Sequence, residues 1–382
     1  MRAFHRLAAA LLAMALLTGF AMAEGYTTAE IGAAKGLRSV HIRAVGDLMM
    51  HEKQLEIAAR GDGSYDFHEQ YALIASSLAD ADYTIANLET TVGKYKDKAY
   101  SGYPRFNAPE SLLDAVKDAG IDFLTLANNH MLDRFGEGMV TTVNWVEKYG
   151  FDHGGANRTK KEKNTPVVVN VKGVNIGFLC YTQMTNDMEE KCSPRVVQYG
   201  INYIKQADFR KDVAALKKAG AEVIIALPHW GKEYKREPGS TAKSNAKKLV
   251  AAGVDVILGS HPHVVQPIEY IKTTDKDGNE RVGLVAYSLG NFISNMTERY
   301  TDSGIILDFT LQEQEDGGFL AVDVGVVPLY VWNRDDMVQT LSSTRYDLQA
   351  PDGMSPEARQ RMKASLLELR ELLDQRIPFL LE

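Results

Sequence analysis

From about residue 39 onward, apolar and polar positions follow two alternating periods. Short apolar runs rich in β-branched residues occur at 41–45, 83–86, 121–127, 223–227 and 254–258. Between them lie stretches with helical spacing at 108–119, 136–148, 208–219 and 241–252, closed by Gly120, Gly150, Gly220 and Gly253. Strand-like and helix-like segments in alternation predict α/β layering, and a glycine just past a periodic segment is a helix stop. Residues 167–171 and 174–181 flank Lys172-Gly173 and predict a β-hairpin. Past residues 283–288, the segments 304–311 and 319–329 have no helix between them and predict a second, antiparallel sheet. Residues 356–373 predict a closing amphipathic helix, and no repeat of solenoid length occurs.

Six short polar clusters sit at the ends of apolar runs: G-D-L-M-M-H at 46–51, N-L-E at 87–89, N-N-H at 128–130, H-W-G-K-E at 229–233, S-H-P-H at 260–263 and S-L-G-N at 288–291. Open α/β sheets place ligands at the carboxyl ends of their strands, which singles out Asp47, Glu89, Asn129, His130, His229, His261 and His263. Taken singly, an Asp or His at a strand end is more often a cap or a satisfied loop residue. Their occurrence at successive strand ends is what points to one rim. Carboxylate, amide oxygen and imidazole together suit a divalent metal such as zinc, manganese or iron rather than calcium. His261 and His263 reach one site only if Pro262 bends the chain.

Three further places have two readings each. Glu233 is a general base or a partner orienting His229, or else a loop acid pairing Lys232 or Arg236. Asn291 ligates metal or donates to a substrate oxygen, or only builds a turn. Lys94, Lys96, Lys98 and Arg105, interleaved with Tyr95, Tyr100 and Tyr103, form the segment suited to an anionic chain, or else a solvated edge.

Length and composition narrow the class. A chain of 382 residues can bury a large core, and one large domain is expected. Arg2, His5 and Arg6 precede an apolar stretch at 7–20 and then Ala21-Met22-Ala23, the layout of an export signal at residues 1–23. The apolar stretch is shorter than the roughly 20 residues that span a bilayer, and no cysteine follows for lipid attachment. Removing residues 1–23 takes away two arginines and no acid, so the formal net charge of −7 becomes −9. That excess of acid argues against nucleic acid as a partner, because nonspecific binders of it carry a basic surface. The only cysteines, Cys180 and Cys192, are too few for a cysteine zinc cluster. They form a disulfide or stand as two separate thiols.

The order and wording of the six clusters resemble the CapA family, also called the poly-γ-glutamate synthesis or capsule-biosynthesis family, across residues 40–295. Its domain is similar to calcineurin-like metallophosphatases. The resemblance implies a layered α-β-β-α sandwich of the metallophosphatase type, with mixed sheets and helices outside. It would span 39–335, with a C-terminal extension at 336–382 whose amphipathic helix packs on the same domain. Metallophosphatases use D-x-H, G-D, G-N-H, H and G-H-x-H to hold two metals. Carried over, this implies metal ligation by Asp47, Glu89, Asn129, His229, His261 and His263, with one or two ions, and His130 as an acid or transition-state stabiliser. Met49 stands where the signature has its first histidine, and His51 lies two residues further on. The implied function is an exported protein acting in synthesis, transport or remodelling of an anionic surface polymer. The implied partners are that anionic polymer or a peptide-like substrate and a membrane-bound polymer synthase complex. The expected chemistry is attack of water or a bound amine on a polarised carbonyl or phosphoryl centre. A metal-dependent phosphoesterase and a non-catalytic polymer-binding subunit are the alternatives.

Overall fold

The computed structural model describes residues 37–94, 99–346, 350–373 and 377–380. The export segment at 1–23 and Tyr95, Lys96 and Lys98 lie outside these. From Arg38 onward the chain forms one compact unit.

Two mixed sheets face each other. The first has eight strands in the order Met337–Ser342, Phe319–Arg334, Ser303–Glu313, Ser39–Leu48, Tyr83–Leu88, Phe123–Thr125 and Asp152–Gly154, with Asn291–Ile293 paired in addition to Ser39–Leu48. The second runs Ile268–Thr274, Glu280–Ala286, Val256–Leu258, Val223–His229, Val174–Thr182 and Val167–Val171. The last two of these form the expected hairpin, antiparallel about Lys172 and Gly173.

Strand residues point alternately to opposite faces, and Val223–His229 shows where each face goes. Val223, Ile225 and Leu227 enter the core between the sheets, beside Ile42, Ile85 and Phe123 of the first sheet. Ile224 and Ala226 face outward onto the helices Phe209–Lys218 and Ser240–Ala252, meeting Leu216, Leu249 and Val250. The first sheet does the same on its far side, where Leu113, Val116, Val143 and Val146 of the helices Ser111–Asp118 and Phe135–Lys148 pack. These layers make the α-β-β-α sandwich with mixed sheets that the resemblance implies. Local chemistry sets helix starts, as at Asp208, whose carboxylate accepts from Lys211 N at 3.2 Å.

One expectation is corrected. Ser303–Glu313 and Phe319–Arg334 do not form a separate antiparallel sheet. Ser303–Glu313 pairs antiparallel with Ser39–Leu48, so both strands extend the first sheet. Periodicity reports that a segment is a strand, whereas the edge it joins is decided by which unpaired backbone groups remain to be satisfied. The helix Pro356–Leu373 buries Met362, Leu366, Leu369 and Leu373, and the last two reach the inter-sheet core. Among the described residues no helix is long and apolar enough to cross a membrane. Cys180 and Cys192 are free thiols. Cys180 sits between the sheets and Cys192 packs against the outer core of the first sheet, so the two belong to different layers. Burial pushes the Cys180 thiol up to about 12.

Candidate metal centre

Parallel strands from both sheets bring their carboxyl ends to one rim. In the first sheet, Asp47 ends the strand Ser39–Leu48 and stands in register with Asn87 of Tyr83–Leu88. Glu89 follows that strand, and Asn128, Asn129 and His130 follow Phe123–Thr125. In the second, His229 ends Val223–His229, and Ser260 to His263 follow Val256–Leu258. The two sheets meet closely here. Asp47 N donates to Gly290 O at 3.0 Å, and a Cβ on Gly46 would lie 1.8 Å from that same oxygen, so only glycine fits before the aspartate. Pro262 does bend the chain: His261 and His263 hold φ of 97° and 57°, a left-handed region that non-glycine residues adopt at a cost.

Six sequence-derived ligand candidates form one buried cluster. Asp47 Oδ2 lies 3.0 Å from His263 Nδ1 and accepts from His261 N at 3.3 Å. Asn87 Nδ2 donates to Asp47 Oδ1 at 2.8 Å and to Glu89 Oε2 at 3.1 Å, tying the two carboxylates together. His229 Nε2 is 2.9 Å from Asn129 Oδ1, and its Nδ1 is 2.9 Å from Ser260 Oγ. Glu89 Oε1 is buried without a hydrogen-bond partner, 3.6 Å from His229 Nε2 and 3.7 Å from His263 Nε2. His261 Nδ1 is likewise buried and unpartnered. Three groups hold their ligand atoms within 4.8 Å of one another: Glu89, His229 and His261; Asp47, Glu89 and His263; and Glu233, His261 and His263.

The electrostatics have the sign a cation corrects. Burial, and then the charge of Asp47, raises the Glu89 carboxyl well above its ordinary range. Burial and the neighbouring imidazoles hold His229 well below its ordinary range and His261 down to about 4, so both present neutral nitrogen lone pairs. His263 moves the other way. Burial opposes its charge, but the hydrogen bond and the charge of Asp47 raise it. A buried carboxyl oxygen left without a hydrogen bond between two imidazole nitrogens is costly without a counter-ion and well suited to one. The donor set therefore fits a divalent ion, and the first two groups share Glu89 as two adjacent ions would require.

The remaining candidates are placed as follows. His130 Nδ1 is 2.8 Å from Asp133 Oδ2, and its ring meets the edge of Phe106 at 4.6 Å. Asn291 is buried. Its Oδ1 faces His263 Nδ1 at 3.1 Å, while Nδ2 donates to Ser294 Oγ at 3.0 Å and Thr301 O at 2.9 Å. Glu233 is exposed at the mouth. Arg105 donates to Asp133 O at 2.7 Å and lies over the Phe135 ring, next to the His130 pair. Lys94 is exposed beyond the short strand Thr91–Val92, outside the cluster. Met49 is buried. His51 packs edge-on to Phe106 at 5.1 Å, accepts from Asn295 N at 3.2 Å, and is lowered to about 4 by burial.

Sequence reasoning gave no role to Asn87, Asn128, Asp133 or Ser260. Asn87 stands two residues before Glu89 and so shares its face. Asp133 follows His130 at the three-residue spacing of a helical turn. Asn128 was visible only as a neighbour of the ligand pair, yet its Nδ2 donates to Leu88 O at 2.7 Å and its Oδ1 accepts from His130 N at 3.1 Å.

The fold and the cluster define a layered α/β protein with a carboxylate, amide and imidazole site at the strand ends. Residues 41–296 match the bacterial capsule synthesis protein family PGA_cap, and the chain belongs to that family. It is 29% identical over 332 residues to the capsule biosynthesis protein CapA of Bacillus anthracis, covering 85% of this chain and 76% of that one. It is 25% identical over 290 residues to the PGA biosynthesis protein CapA of Bacillus subtilis, covering 74% and 70%. Among solved structures, the calcineurin-like phosphoesterase YfkN of Bacillus subtilis aligns with a TM-score of 0.44 at 16% identity, over 87% of this chain and 99% of that one. At that level it is a likeness only.

Proposed function

We infer that this chain is an exported, metal-dependent enzyme acting on poly-γ-glutamate or a related anionic capsule polymer. Membership of the capsule synthesis family supports the polymer, and the layout of residues 1–23 supports export. The metal rests on one observation above the others. Glu89 Oε1 is buried, without a hydrogen bond, between the ring nitrogens of His229 and His263 at 3.6 and 3.7 Å.

Asp47, Glu89 and His263 would hold one ion, and Glu89, Asn129, His229 and His261 a second. When bound, such ions supply Lewis acidity at the substrate oxygen and a water of lowered pKa. The protein supplies the rest. Asn87 fixes the separation of the two carboxylates, and Ser260 orients His229 from behind. Asp133 Oδ2 accepts from Phe106 N at 2.6 Å and receives Nδ1–H of His130. This leaves His130 Nε2 as the atom that carries a proton to a leaving group. Phe106 packs nearly perpendicular to that ring, with centroids 4.6 Å apart, and His130 is buried beside it.

The test is elemental analysis of the protein lacking residues 1–23, followed by chain-length measurement of poly-γ-glutamate and phosphate release from model esters. One or two equivalents of manganese, zinc or iron with polymer shortening or transfer supports the reading. Phosphate release alone favours the phosphoesterase. Polymer binding without turnover in metal-loaded protein makes the chain an assembly subunit.

A further inference from the structure

The metallophosphatase signature has a histidine where this chain has Met49, which leaves one ligand position to be supplied from elsewhere. Met49 is buried, and a thioether is a soft donor suited to copper(I), a poor match for a carboxylate and imidazole site. His51 is the nearest imidazole in sequence, but its geometry removes it. A backbone N–H only donates, so the bond from Asn295 N at 3.2 Å makes His51 Nδ1 an acceptor. His51 also belongs to none of the three groups whose ligand atoms lie within 4.8 Å of one another.

Glu233 stands in the opposite condition. It lies four residues past His229, on a turn in which Gly231 and Tyr234 hold φ of 98° and 63°. Tyr234 N donates to Pro262 O at 2.8 Å, so the turn is strapped to the residue between the two histidines. The strap stations the Glu233 carboxylate within 4.8 Å of the ligand atoms of His261 and His263. On the inner side of the same histidines lies Glu89, fully buried, and His261 Nδ1 is buried with no partner of its own.

We propose that Glu233 is a metal ligand that takes the place left by Met49, closing the centre from the mouth while Glu89 closes it from within. The proposal rests on the metal reading given above. The run H-W-G-K-E then contributes two ligands, His229 from the strand end and Glu233 from the strapped turn. Replacing an imidazole by a carboxylate also hardens the donor set, which moves preference from zinc toward manganese.

The experiment titrates manganese(II) and zinc(II) into metal-free protein lacking residues 1–23, and records the visible absorption of the cobalt(II)-loaded form. The variants are Glu233→Ala, His51→Ala, Asp47→Asn, and Glu233→Ala combined with Met49→His. The expected result is a loss of manganese affinity in Glu233→Ala of at least about tenfold, since even residues one shell removed from a metal cost that much. Zinc affinity should fall less, and the cobalt spectrum should change. His51→Ala should leave both readouts in place, and Met49→His should restore affinity to the Glu233→Ala protein. Glu233 is exposed, so its truncation leaves folding intact, and that single comparison decides the matter even if the buried Met49→His change misfolds. Wild-type affinity and spectrum in Glu233→Ala, with metal lost in Asp47→Asn, overturn this proposal alone. A wild-type protein that takes up no metal overturns the metal reading as well.

Discussion

The strand Ser39–Leu48 divides its sheet into two unlike halves. On one flank Tyr83–Leu88, Phe123–Thr125 and Asp152–Gly154 all run parallel. On the other, Ser303–Glu313, Phe319–Arg334 and Met337–Ser342 alternate in direction. Parallel connections bring the chain back to the same starting edge, so carboxyl ends collect on one rim, where Asp47, Glu89, Asn129 and His130 stand together. Antiparallel connections send successive carboxyl ends to opposite rims, and that half contributes none of the cluster. It supplies Phe309, Leu311 and Val326 to the inter-sheet core, sealed by Leu369 and Leu373 of the last helix. The same hydrogen-bonded ladder thus carries the candidate site on one side and core packing on the other, and connectivity makes the difference.

Substitutions can break that division. The largest effect is expected from Asp47→Asn, which removes a charge from the centre of the rim. Elemental analysis should show bound metal lost and activity with it, while circular dichroism stays native, and full metal retention would refute the ligand assignment. Next comes His130→Asn, expected to keep its metal and lower turnover by about 10² to 10⁴-fold, the usual contribution of a positioned acid or base. In the antiparallel half, Leu369→Ala should destabilise by about 2–5 kcal/mol in denaturant titration, as large-to-small core changes do. The folded fraction of that variant should bind metal with wild-type affinity. A weakened site there would mean that the two halves are coupled. The smallest effect is expected from Asn291→Ala, whose side chain meets His263 Nδ1 from behind. Metal affinity should fall about tenfold, and an unchanged titration would assign Asn291 to the turn alone.

Much of the fold could be read in advance because it rests on local pattern. The hairpin about Lys172-Gly173, the helix Pro356–Leu373 and the strand-then-helix repeats are written in periodicity and in stop signals. The six ligand candidates could also be read, because each closes an apolar run. Asn87 and Asp133 went unassigned because a hydrogen-bonding partner is defined by what it faces, and nothing in N-L-E says that Asp47 will stand beside Asn87. The antiparallel strands were read as strands and assigned to the wrong sheet, since an apolar run does not name the edge it will join.

By itself the sequence determined the periods, the helix ends, the layered class and the residue types held at strand ends, since these follow from steric and solvation preferences of neighbouring residues. The tertiary structure alone decided the strand order, the tie that Asn87 makes between Asp47 and Glu89, the separation of Cys180 from Cys192, and the strap that brings Glu233 over His261 and His263. Each of these depends on groups far apart in the chain, which come together only when two sheets bury their shared faces and leave their polar strand ends on a common rim.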